Sequence, residues 1–257
     1  MFAFFRRRRR RQLASRAFPD EWKPHLERNV PFYRTLTDPE LSLYLTHVKV
    51  IAWEKTFTGV QGMEITDEVR VVISATAARL VLHLDLERYD NLREIVVYPR
   101  DYRHPGGDAR VLGEATVGGT VVLSWPSVVA GLKDPRDGLH TAIHEFAHVL
   151  DAENTGFNGV PTLRAHEDYR PWAVVLGAHF EKLKKGGKSE AKSLRSYGKT
   201  NAAEFFAVAT EAYFEKPRQM KQHTPELYEQ LQTLYGGDPA SRHRDVVAAA
   251  KSPSSRS

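Results

Sequence analysis

The chain has 257 residues, of which 41% are hydrophobic and 27% charged, a composition typical of a globular protein and not of a disordered one. It has no cysteine, which excludes disulfides, thiolate metal sites and a cysteine nucleophile, and no run near the roughly 18 to 20 apolar residues that a membrane-spanning helix needs. The formal net charge of +5 comes from Arg6 to Arg11, because the other 31 of the 37 basic residues face 32 acidic ones, and this balance argues against a direct nucleic-acid partner.

The chain begins with a short apolar run followed by the arginine tract. A signal peptide has the opposite order, with the charges first, so we expect a cytoplasmic protein without stable membrane association. Residues 1–15 are predicted to form a basic disordered tail. The alternative that the sequence leaves open is a weak contact of this tract with anionic lipid or nucleic acid, with Phe2, Phe4 and Phe5 as apolar anchors.

Residues 16–236 are predicted to fold as a single α+β domain. A helix opens at Asp38-Pro39-Glu40, and a second, buried helix spans residues 69–84, where an apolar run has neither Gly nor Pro. A small sheet is predicted from three β-rich runs, of which the last two are joined by a hairpin at Gly118-Gly119: residues 94–98, 111–117 and 120–125.

The second half of the chain is predicted to be helical, over about residues 137–151, 171–183 and 201–214. Residues 237–257 are predicted to form a polar C-terminal tail, and its closing Ser/Pro-rich residues 252–257 to be disordered.

The informative motif is H-E-x-x-H at His144, Glu145 and His148, inside an otherwise apolar helical run. Residues four apart lie about 40° apart around a helix, so both imidazoles can point at one Zn²⁺ from the same face. Glu145 lies about 100° from His144, where its carboxylate could take a proton from water that the metal activates. The alternative is a pair of hydrogen-bonded core histidines. His140, one turn earlier, is too far along the helix to share the ion.

A catalytic zinc normally has three protein ligands and one open position, so a third ligand is expected downstream. Residues 201–215 are predicted to form an apolar helix that carries Glu204, Glu211 and Glu215. Glu204 and Glu211 are seven residues apart and therefore share a face. If Asn201 caps this helix, Glu204 stands at its third position, and a capping-box role is the alternative to metal binding.

These features resemble the Mlc titration factor A family, cytoplasmic zinc peptidases whose catalytic region is similar to that of anthrax lethal factor. The resemblance runs from about Trp22 to Tyr235. It is carried by three segments in order, namely H-E-F-A-H-V-L-D at 144–151, G-V-P at 159–161, and Tyr197 followed by A-E-F-F-A at 203–207. It implies a zincin-like fold in which the sheet packs on the H-E-x-x-H helix, and one Zn²⁺ per chain.

The resemblance also implies roles for individual residues. His144, His148 and Glu204 would be the zinc ligands, and Glu145 the general base. Tyr197 would hydrogen-bond the oxyanion that forms when water attacks a peptide carbonyl, unless it is an ordinary loop tyrosine. Asp151 and Glu211 are candidates for orienting the ligands. Alternatively, Asp151 ends its helix and Glu211 is a solvated acid.

The resulting expectation is a zinc metallopeptidase with peptide substrates, aminopeptidase-like by the resemblance. Extended substrate would pair with residues 120–125 if that strand lies at the sheet edge beside the motif helix. The resemblance also implies regulation of sugar uptake through an Mlc-like repressor protein, because the member that gives the family its name binds and inactivates the glucose repressor Mlc. The alternative function is a regulatory protein-binding module whose zinc site is structural or vestigial.

Overall fold

The structure, a computed structural model, describes residues 2–103, 110–111, 113–116, 118–153, 156–242 and 245. It is α+β and mostly helical, as predicted. The helices are α1 (Phe2–Ser15), α2 (Lys23–Asn29), α3 (Asp38–Glu54), α4 (Asp67–Leu80), α5 (Trp125–Lys133), α6 (Thr141–Asp151), α7 (Tyr169–Lys184), α8 (Lys188–Ser193), α9 (Ala202–Glu215), α10 (Pro217–His223) and α11 (Pro225–Tyr235). The strands are β1 (Thr56–Gly59), β2 (Glu94–Tyr98), β3 (Tyr102–Arg103), β4 (Arg110–Val111), β5 (Gly113–Ala115) and β6 (Thr120–Ser124).

Four strands form the main sheet in the order β1-β2-β6-β5. The first three are parallel, and β5 runs antiparallel to β6, to which the predicted hairpin joins it. Gly119 in this hairpin has a φ of +83°, and a Cβ atom there would lie 2.0 Å from the carbonyl oxygen of Asn91, so the turn requires glycine. Residues 120–125 are not at the sheet edge, where substrate was expected to pair, because β6 lies inside the sheet and the edge strand next to it is β5.

The motif helix α6 lies between the sheet and the helices α4 and α9, and all of its residues are buried. Alternate residues of the two central strands turn toward the core and are completely buried, namely Ile95, Val97, Val121 and Leu123. Helix α4 is capped by Thr66, whose hydroxyl accepts a hydrogen bond from the Val69 N–H. It ends at Leu80 and not at residue 84, and is buried from Val71 to Leu80. None of the helices in the described part of the chain is long and apolar enough to cross a membrane.

The predicted disordered tail at residues 1–15 differs from the structure, which has helix α1 there. Arg10 forms a bidentate pair with Glu54, at 2.7 Å for both bonds, and a further ion pair with Asp90 at 2.8 Å. Arg7 pairs with Glu87 at 2.7 Å. The sequence could not show this docking, because the helix has no acidic residue in its first turn and its partners are 44 or more residues away.

The predicted domain end at residue 236 is also too early. Asp238 accepts a hydrogen bond from the Tyr228 hydroxyl and lies 3.0 Å from the Lys221 Nζ atom. Arg242 reaches across to Glu40 on α3, with contacts of 2.6 and 3.1 Å. The folded unit therefore includes residues 237–242. The predicted disorder of residues 252–257 lies outside the described residues.

Candidate metal centre

Helix α6 begins at Thr141, later than predicted, because His140 forms its N-cap. The Nδ1 atom of His140 accepts a hydrogen bond from the Ile143 N–H, at 3.4 Å. His140 is almost completely buried, and burial lowers its pKa to about 3, so the ring is neutral and can act as an acceptor. It is not part of the ligand cluster formed farther along the helix.

The cluster consists of His144, His148 and Glu204. The His144 Nε2 atom lies 3.0 Å from Oε2 of Glu204 and 3.2 Å from Nε2 of His148, and the third side of this triangle is 3.5 Å. Zinc bonds of about 2.0–2.1 Å in tetrahedral geometry place ligand atoms about 3.3 Å apart. The donor set and its spacing therefore fit a zinc ion.

The electrostatics of the cluster also favour a cation. Burial by itself lowers the pKa of His144, but hydrogen bonds to Glu204 and Glu211 outweigh it and raise that pKa to about 10. Burial likewise raises the pKa of Glu204, but hydrogen bonds from His144 and His148 lower it to about 2. The carboxylates thus create a negative potential at the imidazole Nε2 atoms.

Glu204 reaches the cluster from the first turn of α9. Asn201 caps this helix, since its Oδ1 atom accepts a hydrogen bond from the Glu204 N–H at 2.9 Å. The Glu204 carboxylate contacts the two imidazoles, so it is not the partner of Asn201 in a capping box. Glu215, at the other end of α9, faces elsewhere and pairs with Arg79 at 3.2 Å.

Glu211 is completely buried behind His144 and is not a solvated acid. Its Oε1 atom accepts a hydrogen bond from Nδ1 of His144 at 2.7 Å, and its Oε2 atom accepts one from the His140 N–H at 2.8 Å. Arg195 also pairs with Oε1 of Glu211, and its Nε atom donates to the Gly138 carbonyl at 3.0 Å. Arg195 was not predicted, because nothing local marks an arginine in the segment before Tyr197.

Glu145 lies beside the cluster, between α6 and the edge strand β5. A Cβ atom on Gly113 would lie 2.7 Å from Cγ and 2.8 Å from Oε1 of Glu145, so the strand approaches this closely only because residue 113 is glycine. Burial, together with the charges of Glu204, Glu211 and Glu114, raises the pKa of Glu145 to about 8, although His144 lowers it. The carboxyl group can therefore both take up and release a proton near neutral pH.

The hydrogen bonds of Asp151 are with backbone N–H groups and not with the imidazoles. Its two carboxylate oxygens accept hydrogen bonds from the N–H groups of Gly159 and Val160, each at 2.9 Å. Gly159 has a φ of +78°, and its carbonyl accepts a hydrogen bond from Trp172 Nε1 at 3.0 Å. Asp151 thus anchors Gly159 and Val160 in the loop that follows α6.

Two aromatic side chains flank the cluster on its open side. The Tyr197 ring lies 5.9 Å from the His144 ring and is 51% exposed. Partial burial and the charges of Glu204 and Glu145 raise the Tyr197 pKa, so its hydroxyl remains a donor at neutral pH. The Phe157 ring lies 5.4 Å from that of His148 and is 37% exposed. Phe157 was not predicted, because it belongs to no recognisable motif.

Comparison with known proteins finds a metallopeptidase family. Residues 4–236 match a family described as glucose-regulated metallo-peptidase M90. An uncharacterised protein of Synechocystis sp. is 32% identical over 244 residues, which cover 90% of this chain and 89% of its own. Proteins named Mlc titration factor A from Yersinia pestis and Yersinia pseudotuberculosis are each 27% identical over 235 residues, covering 85% of both chains.

Proposed function

Because the chain belongs to the glucose-regulated metallo-peptidase M90 family, we propose that it is a zinc-dependent peptidase. The observation that carries this proposal is the triangle of ligand atoms from His144, His148 and Glu204, with sides of 3.0, 3.2 and 3.5 Å. Nitrogen and carboxylate ligands in a His₂Glu set are those of a catalytic zinc site, which keeps one position open for substrate and water.

The surrounding residues supply the remaining chemistry. Zinc, when bound, acts as a Lewis acid that polarises the scissile carbonyl and lowers the pKa of water toward 7. Glu145 accepts the proton from the attacking water and later delivers it to the leaving amine. The Tyr197 hydroxyl donates a hydrogen bond to the oxygen that becomes negative when water adds to the carbonyl. Glu211 and Arg195 hold His144 in the tautomer with its Nε2 lone pair facing the centre.

The edge strand β5 is the proposed binding surface for the peptide backbone. Among the described residues, β5 pairs with a strand only on its β6 side, and Gly113 brings it against Glu145. An extended peptide that pairs with β5 on the side facing away from β6 would pass the metal centre. Phe157 would then contact one of the peptide side chains. We propose aminopeptidase-like cleavage, in line with the family resemblance, and short peptides with a free amino end are the substrates to test.

Metal content and hydrolysis of aminoacyl and peptide substrates should be measured together for wild type, Glu145→Gln and Glu204→Ala. We expect Glu145→Gln to keep about one zinc and lose 10²-fold or more of the activity, and Glu204→Ala to lose zinc. Glu229→Gln makes the same chemical change on the exposed surface of α11 and should alter neither. Full activity in zinc-loaded Glu145→Gln would contradict the mechanism.

A second function is suggested by the relatives named Mlc titration factor A. Their name supports the proposal that this chain binds an Mlc-like repressor. In line with the family resemblance, we propose that it does so in the cytoplasm and thereby affects sugar uptake, with or without proteolysis. Binding of a purified Mlc-type repressor should be compared between wild type and Glu145→Gln. Equal binding, with the repressor left intact by wild type, would favour a regulatory binding module in which the zinc site is structural. Cleavage by wild type alone would favour the peptidase.

A further inference from the structure

Helix α1 has two faces of different chemistry. Its inner face carries Arg6, Arg10 and Leu13 and packs against the domain. The outer face of α1, defined as Phe4, Phe5, Arg8, Arg9 and Arg11, is exposed along the helix. At 100° per residue, these five side chains fall within about 160° of one another around the axis.

The outer face combines unpaired positive charge with exposed aromatic rings. Arg8, Arg9 and Arg11 form no ion pair with any residue that the structure describes, and α1 contains no acidic residue. Phe4 and Phe5 are 60% and 58% exposed, and their rings contact each other edge to face at 6.0 Å. The two phenylalanine rings thus leave adjacent apolar surface in contact with water, beside three well-hydrated arginines.

We propose that the outer face of α1 docks on an anionic lipid bilayer. Arginine side chains on a helix are attracted to the negative surface of the bilayer, and phenylalanine rings on the same face insert at the boundary between headgroups and acyl chains. The helix lies in the plane of the interface and does not cross it. Because α1 is a single helix of 14 residues, the association is reversible and sensitive to salt.

The docking helix is already formed in the folded protein. The inner face is held by the ion pairs of Arg10 with Glu54 and Asp90, and Arg6 also pairs with Asp90. A basic amphipathic peptide that folds only on contact must lose conformational entropy in that step. Because α1 is fixed on the domain, the protein avoids most of this cost, and its outer face is presented as one surface.

The charge distribution favours lipid over nucleic acid as the occupant. Outside Arg6 to Arg11, the 31 remaining basic residues are offset by 32 acidic ones, so the arginine face is not continued by a generally basic body. A nucleic-acid surface gains its affinity from many phosphate contacts, whereas a bilayer rewards a small number of arginines together with inserted aromatic rings.

The test is co-sedimentation of the full-length protein with vesicles at low salt. One set contains phosphatidylcholine alone and the other phosphatidylcholine with about one third phosphatidylserine. We expect wild type to bind the anionic vesicles at least tenfold more tightly than the neutral ones. The double variant Phe4→Ser/Phe5→Ser and the triple variant Arg8→Gln/Arg9→Gln/Arg11→Gln should each lose at least tenfold of this binding.

A charge-matched control distinguishes the surface from net charge. Lys185→Gln/Lys188→Gln/Lys192→Gln removes the same three charges from an exposed region around α8 and should bind anionic vesicles like wild type. Circular dichroism and peptidase activity check that each variant is folded. Equal binding of wild type to both vesicle types, an equal loss in the lysine control, or tighter binding to RNA or duplex DNA that is unaffected by the phenylalanine substitutions would overturn the proposal.

Discussion

The Nδ1 atom of His144 donates a hydrogen bond of 2.7 Å to Oε1 of Glu211, a carboxylate with no exposed surface. This bond places the proton of the neutral imidazole on Nδ1. The Nε2 atom, which faces Glu204 and His148, then carries the lone pair. The same carboxylate also accepts hydrogen bonds from the His140 backbone and from Arg195. One residue of α9 thus orients the His144 imidazole of α6 and connects it to the segment that carries Tyr197.

Glu211→Gln is expected to weaken zinc binding by about 10–100-fold, because the amide is a poorer acceptor for His144 and for Arg195. The affinity can be measured by competition with a chromogenic chelator, without any substrate. Glu190→Gln is a matched control, since Glu190 is buried and accepts from Nδ1 of His179 at 2.8 Å on a different helix pair. It should reduce stability without changing zinc affinity. Equal losses of zinc affinity in both variants would contradict the role of Glu211.

Gly113→Ala is expected to lower hydrolysis at least tenfold while the zinc content stays unchanged. The added methyl group would lie 2.7 Å from Cγ of Glu145 and 2.8 Å from Cγ2 of Thr141, so the Glu145 carboxylate or strand β5 must shift. Gly177→Ala makes the same change in α7, where no heavy atom lies within 4 Å of the new Cβ, and should leave activity intact. Steady-state kinetics with metal analysis provides the measurement, and full activity of Gly113→Ala would refute the close contact.

Arg10→Met is expected to destabilise the protein by about 3 kcal/mol, because it leaves the buried Glu54 carboxylate without its bidentate partner. Both side chains in this pair are 9% exposed, so solvent compensates little. Arg8→Met, on the outer face of α1, should leave the free energy of unfolding unchanged. Urea denaturation of both variants measures the difference. If Arg10→Met is as stable as Arg8→Met, α1 does not dock as described.

The contribution of His47 to stability should fall as the pH is lowered from 6.5 toward 4. Burial lowers the pKa of His47 to about 4, so in this range the unfolded chain binds a proton on His47 that the folded chain does not. Above pH 6.5 His47 is neutral in both states and does not reduce the free energy of unfolding. Below that pH, protonation of His47 in the unfolded chain reduces it by at most about 3 kcal/mol. Denaturation curves at several pH values should show a shallower pH dependence for His47→Gln. An identical slope would rule out His47 as a contributor.

The sequence was most informative about side chains whose relative positions follow from helical geometry. The spacing of His144, Glu145 and His148 follows from helical geometry, and the acidic residues of the second helix were found because a zinc site requires a third ligand. The prediction that Asn201 caps this helix is confirmed by its hydrogen bond to the Glu204 N–H. His144 and His148 are four residues apart, and Asn201 and Glu204 are three apart, so local helical geometry relates them. A third ligand was expected because a catalytic zinc normally has three protein ligands.

The prediction failed where the partner is distant in the chain. The six arginines looked like a solvated tail, because Glu54, Glu87 and Asp90 could not be recognised as their partners. Whether residues 120–125 form the edge of the sheet stayed open, because strand order is decided by the path of the whole chain and not by the hydrophobicity of that strand. Arg195 and Phe157 were missed for the same reason, since neither stands in a pattern that has meaning without the folded surroundings.

The sequence by itself determined the family, the α+β class and the side chains able to bind a metal, because helical periodicity and ligand chemistry are local properties. Only the tertiary structure decided that Glu211 is buried behind His144, that β5 is the strand beside Glu145, and that half of the arginine tract is paired while the rest faces outward. Burial and charge pairing depend on which distant segments meet, and both set the free energy of an ionised side chain more strongly than its place in the sequence does.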